Sequence, residues 1–292
     1  MHTNEAGEIV ADCPQVVPRD DVYIMFAPLD ACYNHALNDP DCAVNSDKSL
    51  NTMEDWRKIC DNFIIFDYNI NFGEFLSWYP NLSVIRENLE YYREIGVTGI
   101  IAEGALCAQN FYQQDLESWL FGKLMWDVDQ NVYDLISQYN RAYFGEEAGA
   151  VMDELVGFFE THFRTVSETM SQWTVQHALI FSIEAPWLVS PQTLNAPFLD
   201  RAEAYVDRMY EIIENDSALS EGERQQYIEN IEHIDVQVRY MRYENYDAVS
   251  YTTDAEKFRF MNEFFDLCIK LDVQRFYEAG PFISQIRTDL GY

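Results

Sequence analysis

Two carboxylates, Asp67 and Glu103, each close a short apolar run, and a pair of acidic groups so placed is where acid–base chemistry can begin. Phe63-Ile64-Ile65-Phe66 ends abruptly in Asp67-Tyr68-Asn69, and Thr98-Gly99-Ile100-Ile101-Ala102 stops at Glu103-Gly104. If these runs are adjacent strands, the carboxylates stand one or two interstrand spacings of about 4.8 Å apart. At that separation they can share a water or raise one another's pKa. A third run, Val22 to Phe26, leads into a loop carrying Asp30, Cys32, Tyr33, Asn34 and His35. His35, near Asn34 and Asn38, can bond a polar substrate, while Tyr33, Tyr68, Trp78 and Tyr79 offer flat apolar faces for a sugar ring. Each has a plainer use too: Asp67 capping its loop, Glu103 pairing an arginine, Asp30 and His35 bracing a turn, the aromatics packing.

Other reactive groups are dispersed. His162, His177 and His233 fall in helical segments too far apart to suggest a metal site, and neither HExxH nor GxSxG occurs. The six cysteines (Cys13, Cys32, Cys42, Cys60, Cys107, Cys268) contain no CxxC pair, so neither a zinc motif nor a disulfide-dense scaffold is indicated. Cys32 and Cys42 flank the turn-forming Asn38-Asp39-Pro40-Asp41 and are expected to lie near one another. A bridge between them needs Cα atoms within about 7 Å and an oxidising compartment. No cofactor is implied.

The elements that must position these groups change in texture near residue 111. Before it, strands are expected at 22–27, 63–67 and 98–102, separated by amphipathic stretches from Leu50 to Cys60 and from Ser83 to Ile95. Strand, helix, strand, helix, strand is the order of parallel β/α units, in a closed barrel or an open doubly wound sheet. Three strands cannot close a barrel of eight, and a parallel sheet wants both faces covered. Either the helical part shields the sheet, or further strands belong upstream. In both architectures reactive groups gather at the carboxyl ends of the strands, which is where Asp67 and Glu103 fall.

From a start expected between 111 and 116, the pattern is helical almost throughout. Leu116, Trp119, Leu120, Lys123 and Leu124 share one face; Val132, Leu135, Ile136 and Tyr139 another; Ala148, Met152, Leu155, Phe159, Phe163 and Val166 a third. Leu199 to Ile213, Tyr227 to Met241 and Phe258 to Cys268 step by three and four in the same way, as core stripes do. Asp127 and Thr253 are candidate caps, and Ser190-Pro191 matches a helix start. The division is therefore 1–110 for the β/α units and 111–292 for a helical domain.

Composition narrows the partners. The 292 residues are 48% hydrophobic and 15% aromatic, enough for a substantial core. Fifty acidic residues against nineteen basic give a net charge of -31, which repels nucleic-acid phosphates. No apolar run reaches the roughly 18 to 20 residues that a membrane span needs, and no signal-peptide pattern opens the chain.

Several stretches, in order, resemble one family: Asp21 to Cys42 (DVYIMFAPLDACYNHALNDPDC), Phe66 to Phe72 (FDYNINF), Tyr79 to Leu82 (YPNL), Gly96 to Gly99, Glu103-Gly104 and Leu124 to Gln130 (LMWDVDQ). Together they are similar to the bacterial family catalogued as domain of unknown function 4838, well over residues 18 to 165 and more loosely beyond. Members resemble α-glucuronidases and β-hexosaminidases, with a small α/β domain, a (β/α)8 barrel and a helical region. The resemblance implies an α/β plus all-α chain: the carboxyl-terminal β/α units of a barrel, incomplete as written, then a helical domain. It places residues 1–5 at the end of an earlier strand and suggests bacterial export of the full-length protein. It implies carbohydrate as partner, with Asp67 and Glu103 on the water-activating side of an inverting mechanism and Tyr33, His35, Tyr68 and Trp78 as sugar contacts. The general acid of those enzymes has no counterpart here, so the chain is expected to be inactive alone. The alternative is a carbohydrate-binding or assembly module whose helices make a homo-oligomer contact; a helical scaffold without ligand is a third.

Overall fold

A computed structural model of the chain describes residues 2–3, 9–10, 17–105, 108, 110–169, 186–245 and 253–292. Cys13, Cys107 and His177 lie outside the described residues. Two short strands, β1 (His2–Thr3) and β2 (Ile9–Val10), pair antiparallel, in a sheet of their own. Residues 2–3 thus pair with residues 9–10, outside the main sheet. The main sheet holds β3 (Ile24–Phe26), β4 (Phe63–Tyr68) and β5 (Gly99–Glu103), all parallel and in the order β3-β4-β5. Each overlaps an expected strand.

The crossovers carry helices. Between β3 and β4 run a π-helical turn, Asn45–Leu50, and α1 (Asn51–Arg57); between β4 and β5 runs α2 (Leu82–Glu94). Along β4 burial alternates: Phe63, Ile65 and Asp67 are buried, whereas Ile64, Phe66 and Tyr68 are half-buried. Directly paired residues of a parallel ladder share a face, so Met25, Ile64, Phe66, Ile101, Tyr68 and Glu103 line the second side. Met25 is 54% and Ile101 42% exposed, so among the described residues this second apolar face is only partly covered. A parallel sheet buries both faces when its architecture is complete.

The helical part starts where expected, with α3 (Tyr112–Trp126), followed by α4 (Val132–Phe144), α5 (Glu146–Thr169), α6 (Ala196–Asn215), α7 (Glu221–Glu244), α8 (Asp254–Lys270) and α9 (Ile283–Asp289). Thr253 caps α8 in a capping box with Glu256, as its position predicts. Asp127 does not open a helix. It ends α3, and its carboxylate accepts the Asp129 N–H, while Asn131 accepts from Tyr133 and Asp134 to start α4. Ser190-Pro191 sits in a turn, where the Ser190 hydroxyl accepts the Thr193 N–H. The helix waits for Asn195, which caps it with Pro197 in the first turn.

The expected stripes are buried, and one hydrophobic cluster runs from Phe26 to Ile283 through sheet and helices. The exceptions are Lys123 and Phe258, both exposed, Phe258 at 56% with its ring against Tyr292, and the half-buried Trp119, Tyr139, Val166 and Tyr227. Backbone hydrogen bonds tie the carboxyl-terminal segment to the loop after β4, Phe75 N–H to Phe276 O and Glu278 N–H to Phe72 O. Among the described residues no helix is long and apolar enough to cross a membrane.

Candidate functional site

The six residues expected at one rim are distributed over four environments. Asp67 and Glu103 are on adjacent strands, yet the register pairs Asp67 with Ala102 and Tyr68 with Glu103. Since successive side chains alternate, the two carboxylates point to opposite faces. The common cleft expected of them does not form.

Asp67 faces the helix-covered side and is 2% exposed. Tyr33 donates its hydroxyl to Oδ1 at 3.1 Å, the Tyr68 N–H donates to the same oxygen at 3.0 Å, and Tyr92 of α2 donates to Oδ2 at 3.5 Å. Burial pushes the Asp67 carboxyl up to about 6, against the pull of these donors. Tyr33 is 4% exposed and lies tilted against Tyr79 with ring centroids 5.9 Å apart, so its face is closed to a ligand. Asp67 and Tyr33 together brace the loops that leave β3 and β4.

Glu103 and Tyr68 occupy the other face, at the carboxyl end of their strands. Phe66, Tyr68 and Phe72 form a continuous aromatic edge, with ring centroids 5.4 and 5.9 Å apart. Partial burial raises the Glu103 carboxyl, and the negative charge of Glu278 raises it further. Glu278 arrives on the carboxyl-terminal segment pinned to Phe72, an addition that no local pattern around residue 278 announces. Among the described residues Glu103, Tyr68 and Glu278 thus bring polar groups to the carboxyl end of the partly open face.

Trp78 is not a rim residue. It is 1% exposed, its ring lies 4.7 Å from Phe159 of α5, and its Nε1–H donates to Glu160 Oε1 at 3.3 Å. Burial drives the Glu160 carboxyl up to about 7, and Glu117, 2% exposed, is also raised well above the usual range. Gln113 joins this buried layer: its Nε2 donates to Glu117 Oε1 and to the Tyr79 carbonyl, and its Oε1 accepts the Tyr79 N–H. A polar stitch between the strand-end loop and the first long helices results. Helical spacing hid Glu117 and Glu160, since they sit beside Leu116 and Phe159 in stretches that read as plain core.

His35 lies in the loop between β3 and the π-helical turn. Its Nδ1 is 3.2 Å from Cys32 Sγ, and hydrogen bonding to Cys42 together with the charge of Asp39 holds the imidazole above its ordinary value, against its partial burial. Cys32 and Cys42 are neighbours, as the intervening turn predicts, but both are thiols rather than a bridge. The ligand atoms of Cys32, His35 and Cys42 all lie within 4.8 Å of one another. That soft donor set was invisible as a motif because its spacing matches no recognised metal signature.

No curated protein and no solved structure matches this chain. Residues 6–156 match the family described as Domain of unknown function (DUF4838). That span is more than half of the 292 residues and includes the sheet, the Cys32 loop and the Glu103 rim, and over it the chain belongs to the DUF4838 family.

Proposed function

We propose that the rim around Glu103 is a carbohydrate site, and that β3, β4 and β5 are the carboxyl-terminal share of a (β/α)8-type barrel whose interior is the partly open face. The observation that carries the proposal is the placement of Glu103 at a strand end on that face, beside Tyr68 and Glu278, with its carboxyl raised. A carboxyl with a raised pKa is a better proton acceptor and can hydrogen-bond a hydroxyl, and the half-buried rings of Phe66 and Tyr68, backed by buried Phe72, offer apolar area to a sugar ring. In barrel enzymes this end of the strands is where substrates are handled. The ligand class that fits is an α-glucuronidase- or hexosaminidase-type glycoside.

The roles of the expected residues divide accordingly. Glu103 orients or activates water and Tyr68 contacts the sugar; Asp67 and Tyr33 act as positioning residues behind the sheet. Glycoside hydrolysis needs carboxyl groups on both sides of the scissile bond, about 5 to 9.5 Å apart depending on stereochemistry. Asp67 faces the helices and cannot join Glu103, and the general acid of the resembling enzymes has no counterpart in this chain, so on this reading the chain alone binds sugar without turning it over.

Calorimetry with uronic-acid and N-acetylhexosamine glycosides tests this. Glu103→Gln and Tyr68→Ala should each weaken binding about tenfold or more, equivalent to about 1.4 kcal/mol, with unchanged melting temperature. Parent-like affinity in both variants, or no binding of either glycoside class, sinks the site. Release of an aryl leaving group by the chain alone would sink the claim that it does not hydrolyse.

A further inference from the structure

We propose that Cys32, His35 and Cys42 form a zinc site that locks the loop between β3 and the π-helical turn. The donors are two sulfurs and an imidazole nitrogen, the set that zinc favours over hard cations such as magnesium or calcium. All three donor atoms lie within 4.8 Å of one another, and Cys32 Sγ is 3.2 Å from His35 Nδ1. Around a tetrahedral zinc, bonds of about 2.3 Å to sulfur and 2.0 to 2.1 Å to nitrogen place donor atoms roughly 3.5 to 3.8 Å apart. Closing around the ion therefore needs shifts of about an ångström or less.

The loop is built to hold that convergence. Asn45, 0% exposed, accepts the Cys32 N–H at 2.6 Å and donates to the carbonyls of Cys32, His35 and Ala36. The Leu37 N–H donates to Asn88 of α2 at 2.7 Å, fixing the middle of the loop. Turns at Asp39 N–H to Ala36 O and Cys42 N–H to Asp39 O return the chain so that Cys42 meets Cys32. One buried amide thus orders the segment from which two of the ligands project, the kind of outer support that metal ligands need.

Packing alone does not account for the cysteines. Cys32 and Cys42 are 2% and 1% exposed but stand outside the main core, in a small cluster whose other apolar member is Val44. Two thiolates and a neutral imidazole would neutralise the dication, which makes a buried site of this composition electrostatically balanced. The fourth position goes to water.

The test uses the full chain, purified without chelator and assayed for metal by elemental analysis, then stripped and titrated with cobalt(II) under reductant. The expected result is one zinc per chain and, with cobalt, a thiolate charge-transfer band and intense tetrahedral d–d bands. Cys32→Ser, Cys42→Ser and His35→Ala should each weaken cobalt affinity more than about 100-fold, Asn45→Ala by about 10- to 100-fold, and Cys60→Ser not at all. Should a variant fail to fold, the cobalt spectrum of the parent still decides. Absence of thiolate bands, or a Cys32–Cys42 disulfide in the protein as isolated, overturns the proposal.

Discussion

Trp78→Ala is expected to lower unfolding stability by about 3 to 5 kcal/mol, the range for removing a fully buried large aromatic side chain. The indole is 1% exposed and packs on Phe159, so truncation opens a cavity between the strand-end loop and α5. It also strips Glu160 of the Nε1–H donor that offsets part of the burial of its carboxyl. Trp78→Phe keeps much of the ring contact and loses the donor, so it should cost about 1 to 3 kcal/mol, the usual range for leaving a buried polar group unsatisfied. Urea denaturation of the three proteins measures both differences. A rim residue contacting sugar would behave otherwise: its replacement would shift stability by about 0.5 kcal/mol or less and act on binding instead. If Trp78→Ala melts like the parent, the burial of Trp78 is wrong and its expected place on the sugar wall returns.

The second large effect is a loss of stability as pH rises. Asp67 goes from an ordinary value of 3.8 to about 6 in the fold, and Glu160 from 4.5 to about 7, in both cases through burial. A carboxyl whose folded value is raised favours the native state fully below its unfolded value, because the native protein keeps a proton that the unfolded chain releases. That contribution fades between about pH 4 and 6 for Asp67 and between about pH 4.5 and 7 for Glu160, and above pH 7 it is gone. At 1.36 kcal/mol per pKa unit, each group contributes about 3 kcal/mol as an order of magnitude. Glu117 moves the same way through its own burial, with the neighbouring Glu160 adding to the rise.

The melting temperature should therefore be higher at pH 5 than at pH 8. Self-repulsion of a chain with net charge -31 at pH 7 acts in the same direction, so the parent profile alone does not isolate the buried groups. The double variant Asp67→Asn, Glu160→Gln does. Its amides stay neutral across the range, so its pH profile should be flatter by several kcal/mol between pH 5 and 8. Each amide is near-isosteric with the carboxyl it replaces, and the Tyr33 and Trp78 donors can still reach a carbonyl oxygen. Parallel profiles in parent and double variant would show that these carboxyls are solvated and titrate normally.

Patterns of short range were legible from residue order. The three apolar runs became parallel strands because each is a β-branched or aromatic block stopped by Asp-Tyr-Asn, Glu-Gly or a Pro-containing loop. Helix faces from Leu116 to Cys268 were equally plain, since a 3.6-residue period is a local property. The approach of Cys42 to Cys32 followed from the Asn38-Asp39-Pro40-Asp41 turn, and the capping of α8 from Thr253 and Glu256 standing three apart.

What decided the candidate site was not local. Phe63-Ile64-Ile65-Phe66 is apolar on both faces, so nothing within it says which side Asp67 takes; the pairing of Ile64 with Gly99 does, and a shift of one residue would have put Asp67 and Glu103 together. Trp78 could have been rim or core, and α5, 81 and 82 residues further along at Phe159 and Glu160, made it core. Glu278 reaches the rim only because the carboxyl-terminal segment hydrogen-bonds to Phe72 and Phe75. His35 joined two cysteines because Asn45 folds their loop around a single amide. Residue order alone settles which elements form, because propensity and periodicity act over one or two turns. Tertiary structure settles which side chains meet, because strand register, helix docking and loop closure join residues tens to hundreds of positions apart, at energies no single segment carries.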